Sequence, residues 1–222
     1  MCGRYVINAD PNQLQQAFEL TTVPQFAPRF NIAPTQSAPV ITNDNPREAV
    51  LYRWGLIPSW AKDMSLGGKM INARSESVEE KPAFRAAFKR RRCIVPMTGF
   101  YEWRKLDDGS KQPLYIYRND SPFIGAAGLW EVWKEPETGE EIRTYTILTT
   151  SANPFMQQYH DRMPVILKPE DYDRWLLTGE KDAGLLRDLL QPLEAPALTA
   201  HEVSKAVNRT NVDLPNLILP VQ

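Results

Sequence analysis

No run in this 222-residue chain approaches the 18 or more apolar residues that a membrane-spanning helix needs. The opening Met1-Cys2-Gly3-Arg4-Tyr5-Val6-Ile7 has no basic stretch and no long apolar stretch after it, so it does not read as a secretory signal. Cysteine and histidine are nearly absent, with Cys2, Cys93, His160 and His201 alone. Two distant cysteines cannot build a zinc ribbon or a disulfide framework. A reducing, cytoplasmic setting with no metal and no cofactor is therefore expected. Also missing is an excess of either charge: 26 Lys and Arg face 27 Asp and Glu, for a net −1. That excludes a chain that is basic all over. It does not exclude a basic face, because residues 1–105 carry 15 basic and 9 acidic side chains, while residues 106–222 carry 11 and 18. A chain of this length should bury roughly 70% of its unfolded surface, enough for a core without staples.

Proline is plentiful, with 19 residues spread along the chain, and implies many short elements. Asp10, Pro11 and Gln13 predict an N-cap, a first helical residue and a capping box, followed by Leu14, Ala17 and Phe18 on one face. Further helices are predicted over 82–89, from Pro169 to about Gly179, and over 182–190. Strand-like runs cover 38–42, 49–54, 92–95, 99–103, 113–117, 122–129, 143–150 and 164–167, with hairpin tips at 106–111 and 135–140. Consecutive strands with short connections predict an α+β fold. Its core is mainly antiparallel β, a barrel-like sheet with peripheral helices, in a single domain over 1–222. Cys93, within Cys93-Ile94-Val95-Pro96, reads as a buried structural thiol.

Cys2 is chemically unusual because removal of Met1 would make it the terminal residue. Its α-amine would have a reference pKa of about 7.7–8.0 and its thiol about 8.5, so two nucleophiles would stand on adjacent carbons. Such a 1,2-aminothiol can attack an amide carbonyl through sulfur with its own amine as base, as N-terminal nucleophile hydrolases do. Alternatively it can capture an aldehyde, with the amine forming an imine that the sulfur closes into a thiazolidine. Gly3 suits both, since it lets a substrate approach the backbone closely.

Other segments set polar residues where a core strand would not want them. Asn72-Ala73-Arg74-Ser75-Glu76 follows Met70-Ile71, Glu102 stands among Phe100, Tyr101 and Trp103, and His160-Asp161-Arg162-Met163-Pro164 precedes a strand. Together with Met1-Cys2-Gly3-Arg4-Tyr5, these segments resemble the SOS-response-associated peptidase family, the abasic-site processing proteins. So do Phe30-Asn31-Ile32-Ala33-Pro34, Trp54-Gly55-Leu56-Ile57-Pro58-Ser59-Trp60, Thr149-Thr150 and Val203-Ser204-Lys205 through Asn208. Each segment is weak alone; their order and spacing from residue 1 to about 208 are specific.

The resemblance implies the aldehyde branch: covalent capture of an abasic site in single-stranded DNA as a thiazolidine crosslink through Cys2. It implies that Asn72 positions the amine and the sugar, Glu102 acts as general acid and base, and His160 polarises the sugar oxygen. Arg4, Arg74 and Arg162 would grip phosphates. Ile57, Pro58 and Trp60 would form a wedge between bases, with Asn31 and Pro34 lining the groove. Thr149 and Arg85 complete the expected DNA-binding set. Physical chemistry agrees with these roles, since imine formation needs a neutral amine and a group that protonates the departing hydroxide. A glutamate among aromatics has its charged form disfavoured by desolvation.

The basic stretch 81–105, with Lys81, Arg85, Lys89, Arg90, Arg91, Arg92, Arg104 and Lys105 against Glu102, reads as a phosphate track. A monomer in the cytoplasm, on the nucleoid when bound, is expected. An N-terminal nucleophile amidohydrolase or peptidase and a non-catalytic strand-binding module are the competing readings. The loop 61–69 has no assigned role.

Overall fold

The computed structural model describes residues 2–221. Thirteen strands follow in order: β1 (Tyr5–Ile7), β2 (Arg29–Ile32), β3 (Ser37–Thr42), β4 (Ala49–Trp54), β5 (Asn72–Arg74), β6 (Arg92–Met97), β7 (Gly99–Lys105), β8 (Lys111–Arg118), β9 (Ile124–Lys134), β10 (Glu141–Ser151), β11 (Arg162–Pro164), β12 (Ile166–Leu167) and β13 (Leu198–Glu202). Three short α-helices join them: α1 (Pro11–Ala17), α2 (Arg85–Arg90) and α3 (Tyr172–Leu177).

The strands form two sheets. One is antiparallel, in the order β13-β8-β7-β1-β2. In the other, β10 pairs with both β9 and β4, so β4-β3-β6-β9-β10 close into a five-stranded barrel. β5 and β11 attach to the end of β10, and β12 attaches to β9. This is the expected α+β architecture with a mainly β core, with one departure: β4 and β5 run parallel to β10. Closure leaves the middle of β9 and β10 covered on both faces, and Ile124–Trp130 and Thr144–Thr150 are accordingly buried throughout. One continuous apolar core fills the barrel and the space beneath the second sheet, with Tyr5, Trp54 and Tyr145 packed ring on ring.

Local chemistry sets the boundaries. Asp10 accepts from the Gln13 backbone while the Gln13 side chain accepts from the Asp10 backbone, so α1 starts with the predicted capping box. The 106–111 and 135–140 segments are hairpin tips joining β7 to β8 and β9 to β10. Residues 180–190 form a 3-10 helix where an α-helix was expected. Ala183 and Leu186 face inward there at a spacing of three, which suits three residues per turn. Gly55, at φ +113°, turns the chain out of β4. A Cβ on it would stand 2.4 Å from the Gly67 carbonyl oxygen, so a bare backbone at this crossing pins the 56–69 loop to the barrel.

Arg92 is the main surprise inside the basic stretch. It is fully buried and donates to the carbonyls of Phe88, Lys89, Trp175 and Thr178, which closes the C-terminal ends of α2 and α3 together. Arg90 pairs with Glu180, Arg91 with Glu131, and Arg104 with Glu202. Much of the positive charge counted in 81–105 is thus spent within the fold.

Candidate functional site

Strand β1 lies between β2 and β7, and its register pairs Tyr5 with Phe100 and Val6 with Gly99. The Tyr101 N–H donates to the Arg4 carbonyl at 3.0 Å, so the pairing continues and sets Gly3 opposite Glu102. Cys2 therefore enters beside the Glu102 side chain at the edge of the apolar core, and it is fully buried. Burial pushes the Cys2 thiol well above its ordinary range, and the Glu102 charge adds to the shift. The Cys2 Sγ faces the Arg4 carbonyl at 3.8 Å.

Asn72 approaches from the other sheet. The parallel pairing of β5 with β10 sets it opposite Ile147, and its Nδ2 donates to the Cys2 carbonyl at 3.0 Å. Its Oδ1 is buried and has no hydrogen-bond partner among the described residues. An amide anchored through its donor thus keeps a spare acceptor beside Cys2.

Glu102 is only 3% exposed, and desolvation raises its carboxyl above the usual carboxylate range, with the neighbouring His160 acting in the opposite sense. These two side chains share one electrostatic neighbourhood although they come from different sheets. His160 precedes β11, and its Nδ1 accepts from the Arg162 N–H at 2.9 Å while lying 2.7 Å from the Asp161 carboxylate. The first partner needs a lone pair on Nδ1 and the second needs a proton there. Imidazole can satisfy each in turn, passing its proton between ring nitrogens. A cleft of about 460 Å³ opens beside it, lined by Arg104, Lys105, Ser151, Gln157, Tyr159 and His160.

Among the residues expected to meet DNA, the fold makes three groupings. Arg162 lies against Thr149, donating to its carbonyl at 2.6 Å, and forms a two-pronged pair with Glu76; Arg74 stands nearby, exposed at the end of β5. Arg4 and Asn31 form a second group. Arg4 Nη1 donates to Asn31 Oδ1 and to the Val207 carbonyl, and Asn31 Nδ2 donates to the carbonyls of Val207, Arg209 and Val212. Both residues tie the chain after β13 to the antiparallel sheet, and partial burial lowers the Arg4 pKa.

The third group is the 56–60 turn. Ile57 and Pro58 are buried, Ile57 against Ala61 and Trp133, whereas Trp60 is 60% exposed and is the member that projects. Pro34 is half-buried just beyond β2. Arg85 is exposed on α2, a separate surface packed on β6, β9 and the 180–190 helix.

Two residues in the quoted motifs had no role in the sequence reading. Glu76 holds the Arg162 fork, and Trp103 donates Nε1–H to Asn208 Oδ1 at 2.7 Å. The signal for Glu76 was an acid two positions after Arg74 in a segment otherwise expected to face phosphate. Among the described residues, no group of three or more His, Cys, Asp or Glu could hold a metal ion, and no helix is long and apolar enough to cross a membrane.

The sequence profile of the SOS response associated peptidase (SRAP) family matches residues 1–210. The abasic site processing protein YoqW of Bacillus subtilis (strain 168) is 41% identical over 222 residues, covering 98% of this chain and 99% of its own. The abasic site processing protein HMCES of Xenopus tropicalis is 31% identical over 228 residues, covering 89% of this chain and 67% of its own. A crystal structure of a protein from Bacteroides thetaiotaomicron superposes with a TM-score of 0.86 at 27% identity, covering 100% of both chains.

Proposed function

The chain belongs to the SOS response associated peptidase family, and on that premise we propose that it captures abasic sites in single-stranded DNA. The product is a covalent thiazolidine on Cys2. The observation that carries the reading is the joint placement of Cys2, Asn72, Glu102 and His160. One side chain holds the Cys2 backbone, a buried carboxyl with a raised pKa stands beside the sulfur, and an imidazole couples to that carboxyl. Relatives named abasic site processing proteins support the same substrate class.

The chemistry follows from these groups. Met1 lies outside the described residues; its removal, by self-processing or by an aminopeptidase, frees the Cys2 amine. An abasic nucleotide in its ring-opened form presents an aldehyde. The neutral amine adds to that carbon, giving a carbinolamine. Glu102, whose protonated form burial favours, gives its proton to the carbinolamine hydroxyl, which leaves as water, and takes back the N–H proton of the resulting iminium, yielding the imine. The Cys2 sulfur then adds to the imine carbon while the thiol proton passes to the imine nitrogen. One aldehyde, one amine and one thiol thus become one thiazolidine and one water. The raised thiol pKa suits this order, because the sulfur stays protonated until the imine has formed. His160 assists by donating to the sugar oxygen as the ring opens, and the spare Asn72 Oδ1 accepts from the amine. Arg74 and Arg162 meet flanking phosphates, and the projecting Trp60 offers a stacking surface that tolerates any base sequence.

The test is incubation with a labelled single-stranded oligonucleotide carrying one abasic site, read on a denaturing gel and by intact mass. The expected result is a heat-stable adduct on protein lacking Met1, absent in Cys2→Ala. Wild-type protein that shifts no DNA overturns the reading, and glutamine hydrolysis without an adduct would turn it toward the amidohydrolase alternative.

A further inference from the structure

Arg162 is mostly buried, at 11% side-chain exposure, and its guanidinium is already engaged. Nη1 donates to Glu76 Oε1 at 2.5 Å and Nη2 to Glu76 Oε2 at 2.8 Å. Two parallel bonds of this kind match a carboxylate or a phosphate equally well. Arg162 keeps one donor in reserve, since its buried Nε has no partner among the described residues. Glu76 differs in being 54% exposed, on the short turn that follows β5. Its carboxyl is held low first by the Arg162 hydrogen bonds and further by the nearby charge of Arg74. Two of the cations assigned to the proposed DNA path therefore act on one half-exposed carboxylate, held in a fork geometry that also suits a phosphate.

We infer that Glu76 is an internal counterion seated in the phosphate site of Arg162 and Arg74, and that an incoming DNA phosphate displaces it. The inference rests on the proposed DNA-binding reading and deepens it. If Glu76 stayed in place, the Arg162–Glu76 pair would be neutral and would give a phosphate little attraction. If it swings out, the phosphate inherits the planar fork, and the freed carboxylate is solvated nearby. The exchange costs affinity for every strand, damaged or not. Lesion-free DNA, which lacks the covalent bond, would then dissociate readily, while abasic DNA is retained by Cys2. Glu76 is on this view a determinant of selectivity between bound and captured DNA.

The charge balance gives a measurable signature. Each phosphate neutralised on single-stranded DNA releases about 0.7 of a counterion. Displacing Glu76 leaves a carboxylate that attracts a cation in return, so this contact should add almost nothing to the salt dependence of the wild type. Glu76→Gln removes the competitor. Half-exposed ion pairs are weak, so unmodified single-stranded DNA should bind about two- to fivefold tighter near 0.1 M salt. The slope of log affinity against log salt should steepen by about 0.7. Both effects should vanish when Glu76→Gln is made in an Arg162→Gln background, which separates displacement from a merely structural role.

Fluorescence anisotropy with an unmodified oligonucleotide reads the affinities, and adduct formation on abasic DNA runs in parallel. Unchanged or weaker binding by Glu76→Gln overturns the inference, as does a gain that persists undiminished without Arg162. Wild-type protein that neither binds nor crosslinks DNA would instead overturn the proposed function itself.

Discussion

Replacing Glu102 by glutamine should separate two consequences of its burial. The carboxyl is 3% exposed and faces Cys2, and desolvation holds it above the usual carboxylate range. Glutamine keeps the size and the hydrogen-bonding reach but cannot give up a proton. Positioned general acid–base groups contribute about 10²- to 10⁴-fold to a rate, or roughly 3–5 kcal/mol of barrier. Glu102→Gln should slow adduct formation within that range while changing non-covalent DNA affinity less than about threefold.

Stability should move the other way. A glutamate with a raised folded pKa binds its proton more tightly in the native state than in the unfolded chain. Stability is therefore fully present below the unfolded value, about 4.3, and falls as pH rises from there through the folded value. Above that window the wild type carries a buried charge that the glutamine variant lacks. The melting temperature of Glu102→Gln should accordingly match or trail the wild type near pH 4 and exceed it at pH 8. The alkaline limb of the pH–rate profile, set by loss of the Glu102 proton, should disappear. Stopped-time adduct gels across pH, anisotropy and thermal unfolding check the three parts. Equal losses of affinity and rate, or a variant less stable than wild type at pH 8, would refute the assignment.

Asn72→Ala strands the Cys2 carbonyl, so stability should drop by about 1–3 kcal/mol and crosslinking by about tenfold; calorimetry and single-turnover adduct formation read the two. Arg92→Leu leaves four carbonyls at two helix ends without their donor and deletes a cation stacked 5.9 Å from the Trp175 ring. The loss should be about 3–5 kcal/mol, a fall of roughly 6–20 °C in melting temperature at this chain length, and a shift under 3 °C would contradict it.

What the sequence disclosed and what it hid divide along physical lines. The Asp10-Pro11-Gln13 start of α1 and the Gly109 hairpin were legible because capping and turn chemistry act over a few residues. The long strands β9 and β10 announced themselves by apolar runs, although each extends further than those runs. By contrast, β1, β2, β5 and β13 went unread. They are three to five residues long, and β1 is buried at every position, so no alternation marks it. Yet β1 and β5 are the strands that carry Cys2 and Asn72 to each other. Their meeting depends on β5 running parallel to β10 through a long crossover, and local pattern carries no trace of such pairing. The four polar residues were recognisable through their motifs; their convergence was not.

Charge shows the same limit and gives a reason for the proposed chemistry. Read as a string, 81–105 is a track of eight cations. Folded, Arg92 caps two helices, and Arg90, Arg91 and Arg104 pair with Glu180, Glu131 and Glu202. Near the candidate site, Arg162 is neutralised by Glu76, and Arg4 is committed to Asn31 and Val207. With these cations engaged, less positive charge is left to hold a strand by counterion release, so non-covalent grip should be modest, and a contact whose internal partner must yield should add little to its salt dependence. A protein that must stay on rare lesions among abundant intact strands gains from that arrangement. On the proposed reading, weak general affinity would let this chain leave undamaged DNA, and a bond from Cys2 would supply the retention that electrostatics withholds.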